Sequence, residues 1–158
     1  MKNNRGFTLV ELMIVIVIIG IIATIAIPKF EAMKLKANAT RIVSDFNMFQ
    51  NALMRYYYDT GEYPRDRYPG GSVPELEEYL PDGFQYDLRP KLDVRYDWDH
   101  WGSPGDPWYP YTGTVLGLSV TTNDDGLVQA IESVYQGEFH YTLGSNYTFV
   151  MTAIPEED

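Results

Sequence analysis

The 158-residue sequence predicts an α+β fold. One long N-terminal helix, transmembrane in its N-terminal half, packs on a small antiparallel β-sheet, and an irregular region rich in Pro, Gly and aromatics connects them. Three observations predict this. Residues 7–30, FTLVELMIVIVIIGIIATIAIPKF, contain an uncharged run from Leu12 to Ile27. Beyond Pro28 the apolar residues thin to a single stripe at spacings of three and four. From Thr114 onward, short apolar segments are separated by turn residues.

The span from Phe7 to Ile27 is 21 residues long, close to the ~20 a helix needs to cross a ~30 Å hydrocarbon layer. A helix apolar on every face must lie in lipid or inside a bundle of identical helices. Lys2 and Arg5, on the short tail before it, favour a cytoplasmic N-terminus. A discarded secretory signal is the competing reading. Against it, the apolar run exceeds the usual ~7–15 residues, and no small-x-small site follows, only Ile25-Ala26-Ile27-Pro28-Lys29. Glu11 interrupts the run. A carboxylate inside a membrane costs a few kcal/mol (about 2.5–3.5 for an Asp at mid-helix), which marks Glu11 as a candidate functional residue rather than one that merely snorkels to the headgroups.

Gly6-Phe7-Thr8-Leu9-Val10-Glu11, after a basic leader and before a long apolar run, resembles the class III signal of type IV pilins and type II secretion pseudopilins. The resemblance is specific through about Phe30 and looser to about Pro64. It implies that residues 1–6 are a cytoplasmic leader, cut between Gly6 and Phe7 by a prepilin peptidase, with N-methylation of the new Phe7 amine. It implies a single-pass protein of the inner membrane. An assembly platform would move the subunit from lipid into a helical homo-oligomeric filament, periplasmic or at the cell surface. It further implies that Glu11 of one subunit meets the Phe7 amine of a subunit already in the filament. An ammonium and a carboxylate a few ångströms apart offset much of each other's desolvation and can set register, as one polar position does in a coiled coil. Gly20 and Pro28 fall where the family weakens its helix.

The second half of the helix, residues 31–60, is amphipathic. Leu35, Ala39, Ile42, Phe46, Phe49, Leu53 and Tyr56 form the stripe, with Lys36, Arg41, Asp45, Asn51 and Arg55 largely off it. Gly61 suits the position after the last turn, and Pro64 follows. A helix over 7–60 is roughly 80 Å long. Pro28 costs it ~3 kcal/mol or a kink, and Gly20 adds roughly 1 kcal/mol of weakness, so Gly20 to Pro28 is the segment most able to kink or unwind. Tyr56-Tyr57-Tyr58, with Phe46 and Phe49, invites an electron-transport role; packing accounts for the same residues and is preferred.

Residues 61–158 form the globular domain, on the periplasmic or extracellular side. Pro and Gly punctuate 61–113. A short helix is expected over 73–80 and short strands over 84–88 and 92–98, with Trp98, Trp101, Trp108, Tyr109 and Tyr111 pinning the rest. Asp106-Pro107-Trp108 loosely resembles a turn of major pseudopilins. Strands follow over 114–121, 139–143 and 147–154. Asn123-Asp124-Asp125-Gly126 provides a turn and N-cap for a helix carrying Leu127, Ile131, Val134 and Tyr135.

Composition narrows the function. There is no cysteine, hence no disulfide and no thiolate metal site. Many type IV pilins close a C-terminal loop with a disulfide, so this absence shifts the resemblance modestly towards pseudopilins, or towards pilins stabilised by other means, and the two subtypes stay nearly balanced. Residues 1–60 hold seven Lys/Arg and four acids, net +3; the remainder holds five and eighteen, net −13. So acidic a domain repels nucleic acid. His100 and His140 fit no nucleophilic triad or metal set, and no phosphate loop or nucleophile elbow is present. No cofactor is expected, with one candidate exception: Asp93, Asp97, Asp99 and Asp106 offer oxygen ligands for calcium. Asp124 and Asp125 do the same, but a helix cap explains them equally well. The function expected is that of a non-enzymatic filament subunit. The alternative is a monomeric membrane-anchored binding module that grips a ligand with the aromatic loop 96–111.

Overall fold

The computed structural model describes residues 7–103, 113–137, 140–143 and 146–154. Expectations for the leader 1–6 and for Asp106, Trp108, Tyr109 and Tyr111 lie outside the described residues.

Helix α1, Leu9–Thr60, is one unbroken helix of 52 residues. Its N-terminus is fixed by a capping box. Thr8 is the N-cap, its hydroxyl accepts from the Glu11 N–H, and the Glu11 side chain accepts from the Thr8 N–H. The other end closes at Gly61, whose φ of 75° is a left-handed conformation open to glycine; its N–H donates to the Tyr57 carbonyl at 2.8 Å. Pro28 lies inside α1 without ending it.

Four antiparallel strands, β1 (Arg95–Ser103), β2 (Gly113–Thr121), β3 (His140–Leu143) and β4 (Asn146–Ile154), form one sheet in the order β1-β2-β4-β3. Helix α2, Asp125–Val134, connects β2 to β3. The β2–β4 register shifts between Leu116 and Gly117. Gly117 lies at the shift, where a Cβ would come within 3.0 Å of the Thr148 methyl and 3.2 Å of the Phe149 carbonyl oxygen.

The expected stripe of α1 is the helical side of the core. Ala39, Ile42, Phe46, Phe49 and Leu53 are buried, and Leu35 and Tyr56 are half-buried at its ends. Opposite them stand Tyr96 and Trp98 of β1, Leu116, Leu118 and Val120 of β2, and Tyr147 and Phe149 of β4. The contact is mostly aromatic: Phe46 stacks on Phe149 at 4.5 Å and Phe49 meets Trp98 at 5.5 Å. Leu127 and Ile131 of α2 complete the layer.

Three local expectations are corrected. The helix over 73–80 is a single 3-10 turn, Pro74–Leu76. Leu76 and Leu80 both turn into the core while Glu77 and Glu78 stay exposed, which uses this short segment without a regular helix. Residues 84–88 form no strand; Asp87 makes one isolated bridge to Arg95. The strand expected over 92–98 starts later, at Arg95, and runs to Ser103, so half of the supposed loop 96–111 is sheet. Pro and Gly mark loops on either side of it, but β1 contains no Pro and no Gly before Gly102.

Candidate assembly site

In α1 the N-terminal half leaves the domain bare. Every residue from Phe7 to Lys34 is exposed or nearly so, and the most apolar window of the helix has none of its surface buried. Phe7 itself is 84% exposed. So large an apolar surface in water would be strongly unfavourable, so it requires lipid or other helices around it. At Gly20 an added Cβ would meet nothing within 4 Å, so no contact within the chain requires glycine there. The Gly20 carbonyl also accepts from the Thr24 hydroxyl at 2.8 Å.

Glu11 sits at the exposed start of this rod. Its Oε2 accepts from both the Thr8 N–H and the Thr8 hydroxyl, each at 2.8 Å. Among the described residues nothing donates to its Oε1. The capping box therefore orients the carboxylate and leaves one oxygen for a further donor. Sequence reasoning singled out Glu11 and passed over Thr8, although Thr8-Leu9-Val10-Glu11 has the Thr-x-x-Glu spacing of a capping box.

A second polar device holds α1 to the sheet. The buried Tyr96 hydroxyl donates to Asp45 Oδ2 at 2.7 Å, and Arg41 Nε lies 3.8 Å from the same oxygen. Burial pushes the Asp45 carboxyl up, partly offset by the Tyr96 hydrogen bond and the Arg41 charge. By spacing alone Asp45 falls off the packing stripe; its role depends on Tyr96, which faces it from β1.

Among the described residues, the calcium candidates Asp93, Asp97 and Asp99 do not form one cluster. Asp93 accepts from the Asn123 side-chain amide at 2.7 Å, Asp97 and Asp99 share the face of β1 turned away from α1, and Asp106 is outside the described residues. Among the described residues no group of three His, Asp or Glu is placed to hold a metal ion. Asp124 is the N-cap of α2, accepting from the Leu127 N–H at 3.1 Å. On the outer face the Asp99 carboxylate accepts from the Ser119 hydroxyl, which also meets the Thr148 hydroxyl at 2.7 Å. Burial, with the nearby Asp66 charge, pushes Asp97 up to about 7. Burial likewise raises Asp99 to about 7, against the Ser119 hydrogen bond and reinforced by the Asp97 charge.

The remaining candidates are structural. His100 Nδ1 is 2.8 Å from the Pro64 carbonyl oxygen, and His140 stacks on Tyr147. Tyr96 and Trp98 lie in the core, and the Trp98 indole donates to the Pro64 carbonyl at 3.2 Å, so neither is free to grip a ligand. Tyr56 packs edge-on to Tyr79 and Tyr57 stacks on Tyr63, while Tyr58 projects into solvent, 91% exposed.

Residues 1–27 match the model of the prokaryotic N-terminal methylation motif. The chain is 36% identical over 101 residues to type II secretion system core protein G of Escherichia coli K12, covering 64% of this chain and 69% of that one. The same protein of Aeromonas hydrophila is 33% identical over 110 residues, covering 65% and 71%. The chain belongs to the type IV pilin and type II secretion pseudopilin family. A fimbrial protein of Pseudomonas aeruginosa is 48% identical over 52 residues, a third of each chain. Core protein G of Klebsiella pneumoniae is matched over 46% of its length, so the chain spans about half to seven-tenths of these curated relatives. No solved structure matches. As a pilin-like protein the chain is a structural subunit and not an enzyme, and its apolar N-terminal helix is long enough to anchor it in a membrane. The motif match overlaps the bare rod, and alignments of 101 and 110 residues are too long to be confined to the 52 residues of α1.

Proposed function

We propose that this chain is the repeating subunit of a pilus-like filament, of the type II secretion pseudopilus kind. The observation that carries the reading is the unburied apolar rod of α1, continuous with a helical half whose apolar stripe packs on its own domain. Before assembly the rod lies in the inner membrane with its N-terminus cytoplasmic. Prepilin peptidase cuts between Gly6 and Phe7, the Phe7 amine is methylated, and the subunit leaves lipid for helices of its own kind through the assembly platform. Its acidic domain becomes the surface of a periplasmic or cell-surface filament.

Glu11 then has two tasks. Oε2 is held by Thr8, and Oε1 accepts from the Phe7 ammonium of the subunit already in place. Mass spectrometry of the mature protein tests the processing. A chain beginning with methylated Phe7 is expected; an intact leader, or a chain starting beyond the rod, overturns it. A calcium ion at Asp97 and Asp99 would need further donors, such as Asp106 or backbone carbonyls. Its test is a rise in Tm in millimolar calcium, and an unchanged Tm removes it.

The secretion rather than pilus assignment rests on the similarity to core protein G over most of that protein's length, against a third for the fimbrial protein. Deletion of the chain should abolish secretion of folded exoproteins while leaving twitching motility intact. The opposite pattern would make it a pilin.

A further inference from the structure

Among the described residues the ion pairs are Arg41–Asp45, Arg67–Glu75 and Arg89–Asp87. Lys29, Lys34 and Lys36 are exposed with no carboxylate within 4 Å, and only Glu31 among the residues between them carries opposite charge. They form a basic collar where α1 leaves the apolar rod. Asp59, Glu77 and Glu78 are exposed and likewise lack a cation within 4 Å. Asp59 and Glu78 both act on Tyr79 at the far end of α1, where Tyr79 packs on Tyr56 and its hydroxyl donates to Asp59 at 3.0 Å; Glu77 precedes Glu78 in the chain. Beside Asp59 is an open groove lined by Asn51, Met54, Arg55, Tyr58, Asp59 and Tyr79, which offers apolar surface to the aliphatic stem of a lysine and one carboxylate, Asp59, to its head, against the charge of Arg55 in the same lining.

The two patches are separated along one rod by about 25 residues, roughly 35–40 Å. They cannot meet within a chain, and copies aligned without offset would set collar against collar. We propose that the lysine collar of one copy docks on the acidic end of a second copy, Asp59, Glu77 and Glu78, so that these neighbours pack in parallel with an axial offset of roughly 35–40 Å. The proposal rests on the filament reading above. It concerns a different neighbour from the one meeting Glu11, since each copy in a helical array has several. Exposed pairs are individually weak and screened beyond ~10 Å at 0.1 M salt. Their effect comes from repetition in every subunit and from the repulsion of other offsets.

The chain lacks cysteine, so an introduced pair reports the contact alone. Met33 and Tyr58 are both exposed on α1, and replacing them keeps every charge. Within one chain they are roughly 37 Å apart along the axis, far beyond the ~7 Å limit for a disulfide. Sheared, oxidised filaments of the full chain carrying Met33→Cys and Tyr58→Cys should give a ladder of covalent multimers, absent from either single variant. Filaments without a ladder overturn the docking and leave the filament reading standing. Absence of filaments from the wild type overturns the filament reading and the docking with it. In a second arm, Lys34→Glu with Lys36→Glu should lower filament yield severalfold, and adding Glu77→Lys and Glu78→Lys to the same chain should restore it. Failure to restore overturns the proposal. So does an unchanged yield from the collar variant combined with lost binding to phosphatidylglycerol vesicles, which would give the lysines to lipid.

Discussion

Glu11 illustrates how one side chain serves the chain locally and the assembly at once. Glu11→Gln keeps an acceptor for the Thr8 cap and removes the charge, whereas Glu11→Ala removes both. If pairing with a Phe7 ammonium drives assembly, both variants lose filaments in electron micrographs of sheared surface material. If capping is what matters, Gln is tolerated. Asp97 and Asp99 are a second residue-scale case. Their carboxyls hold protons up to about 7 in the folded protein, whereas an unfolded Asp releases its proton near ~3.9. Between those pH values the folded state binds more protons than the unfolded one, so stability falls as pH rises from about 4 to about 7 and is level above. Thermal melts should give a higher Tm at pH 5 than at pH 8, and Asp97→Asn should narrow the difference without abolishing it, since Asp99 still titrates.

At the scale of elements, α1 is two helices in one hydrogen-bonded ladder. Its first half has no internal partner, and its second half contributes Ala39, Ile42, Phe46, Phe49 and Leu53 to the core. Phe49 touches Phe84, Tyr86 and Trp98. Phe49→Ala should therefore destabilise the domain by about 3–5 kcal/mol in denaturant melts. Helix α2 is short and depends on its cap, so Asp124→Ala should cost about 1 kcal/mol. Asp125→Ala, which removes no cap bond, should change little in the same measurement. The strand elements are less self-sufficient: β1 is held on one side by β2 and below by α1, and isolated from them it has no reason to be extended.

For the whole molecule, the charge and the apolar surface are segregated along its length. The rod is neutral and apolar, the collar basic, the domain strongly acidic. Among the described residues none before Leu35 belongs to the core or packs against it, so a chain lacking residues 1–30 should remain folded and cooperative but monomeric. Sedimentation and a thermal melt check this. A truncated domain that aggregates or melts broadly would show that the rod contributes to the domain fold.

The one-dimensional features were legible because they are periodic. The uncharged run, the three-four stripe from Leu35 to Tyr56, the stop at Gly61 and the cap at Asp124 each follow from local spacing, as does the resemblance carried by Gly6 to Glu11. What sequence could not decide depends on partners distant in the chain. Tyr96 and Trp98 read both as the end of a short strand and as the start of an aromatic loop until β2 pairs with them and α1 covers them. Asp45 reads as a solvated charge until Tyr96, 51 residues away, reaches it. Asp93, Asp97 and Asp99 read as one acidic group, but Asp93 lies before β1 and is engaged by Asn123, while Asp97 and Asp99 share the outer face of the strand. Side-chain spacing fixes which face of an element is apolar; only tertiary packing fixes what that face, and each polar group beside it, finally meets.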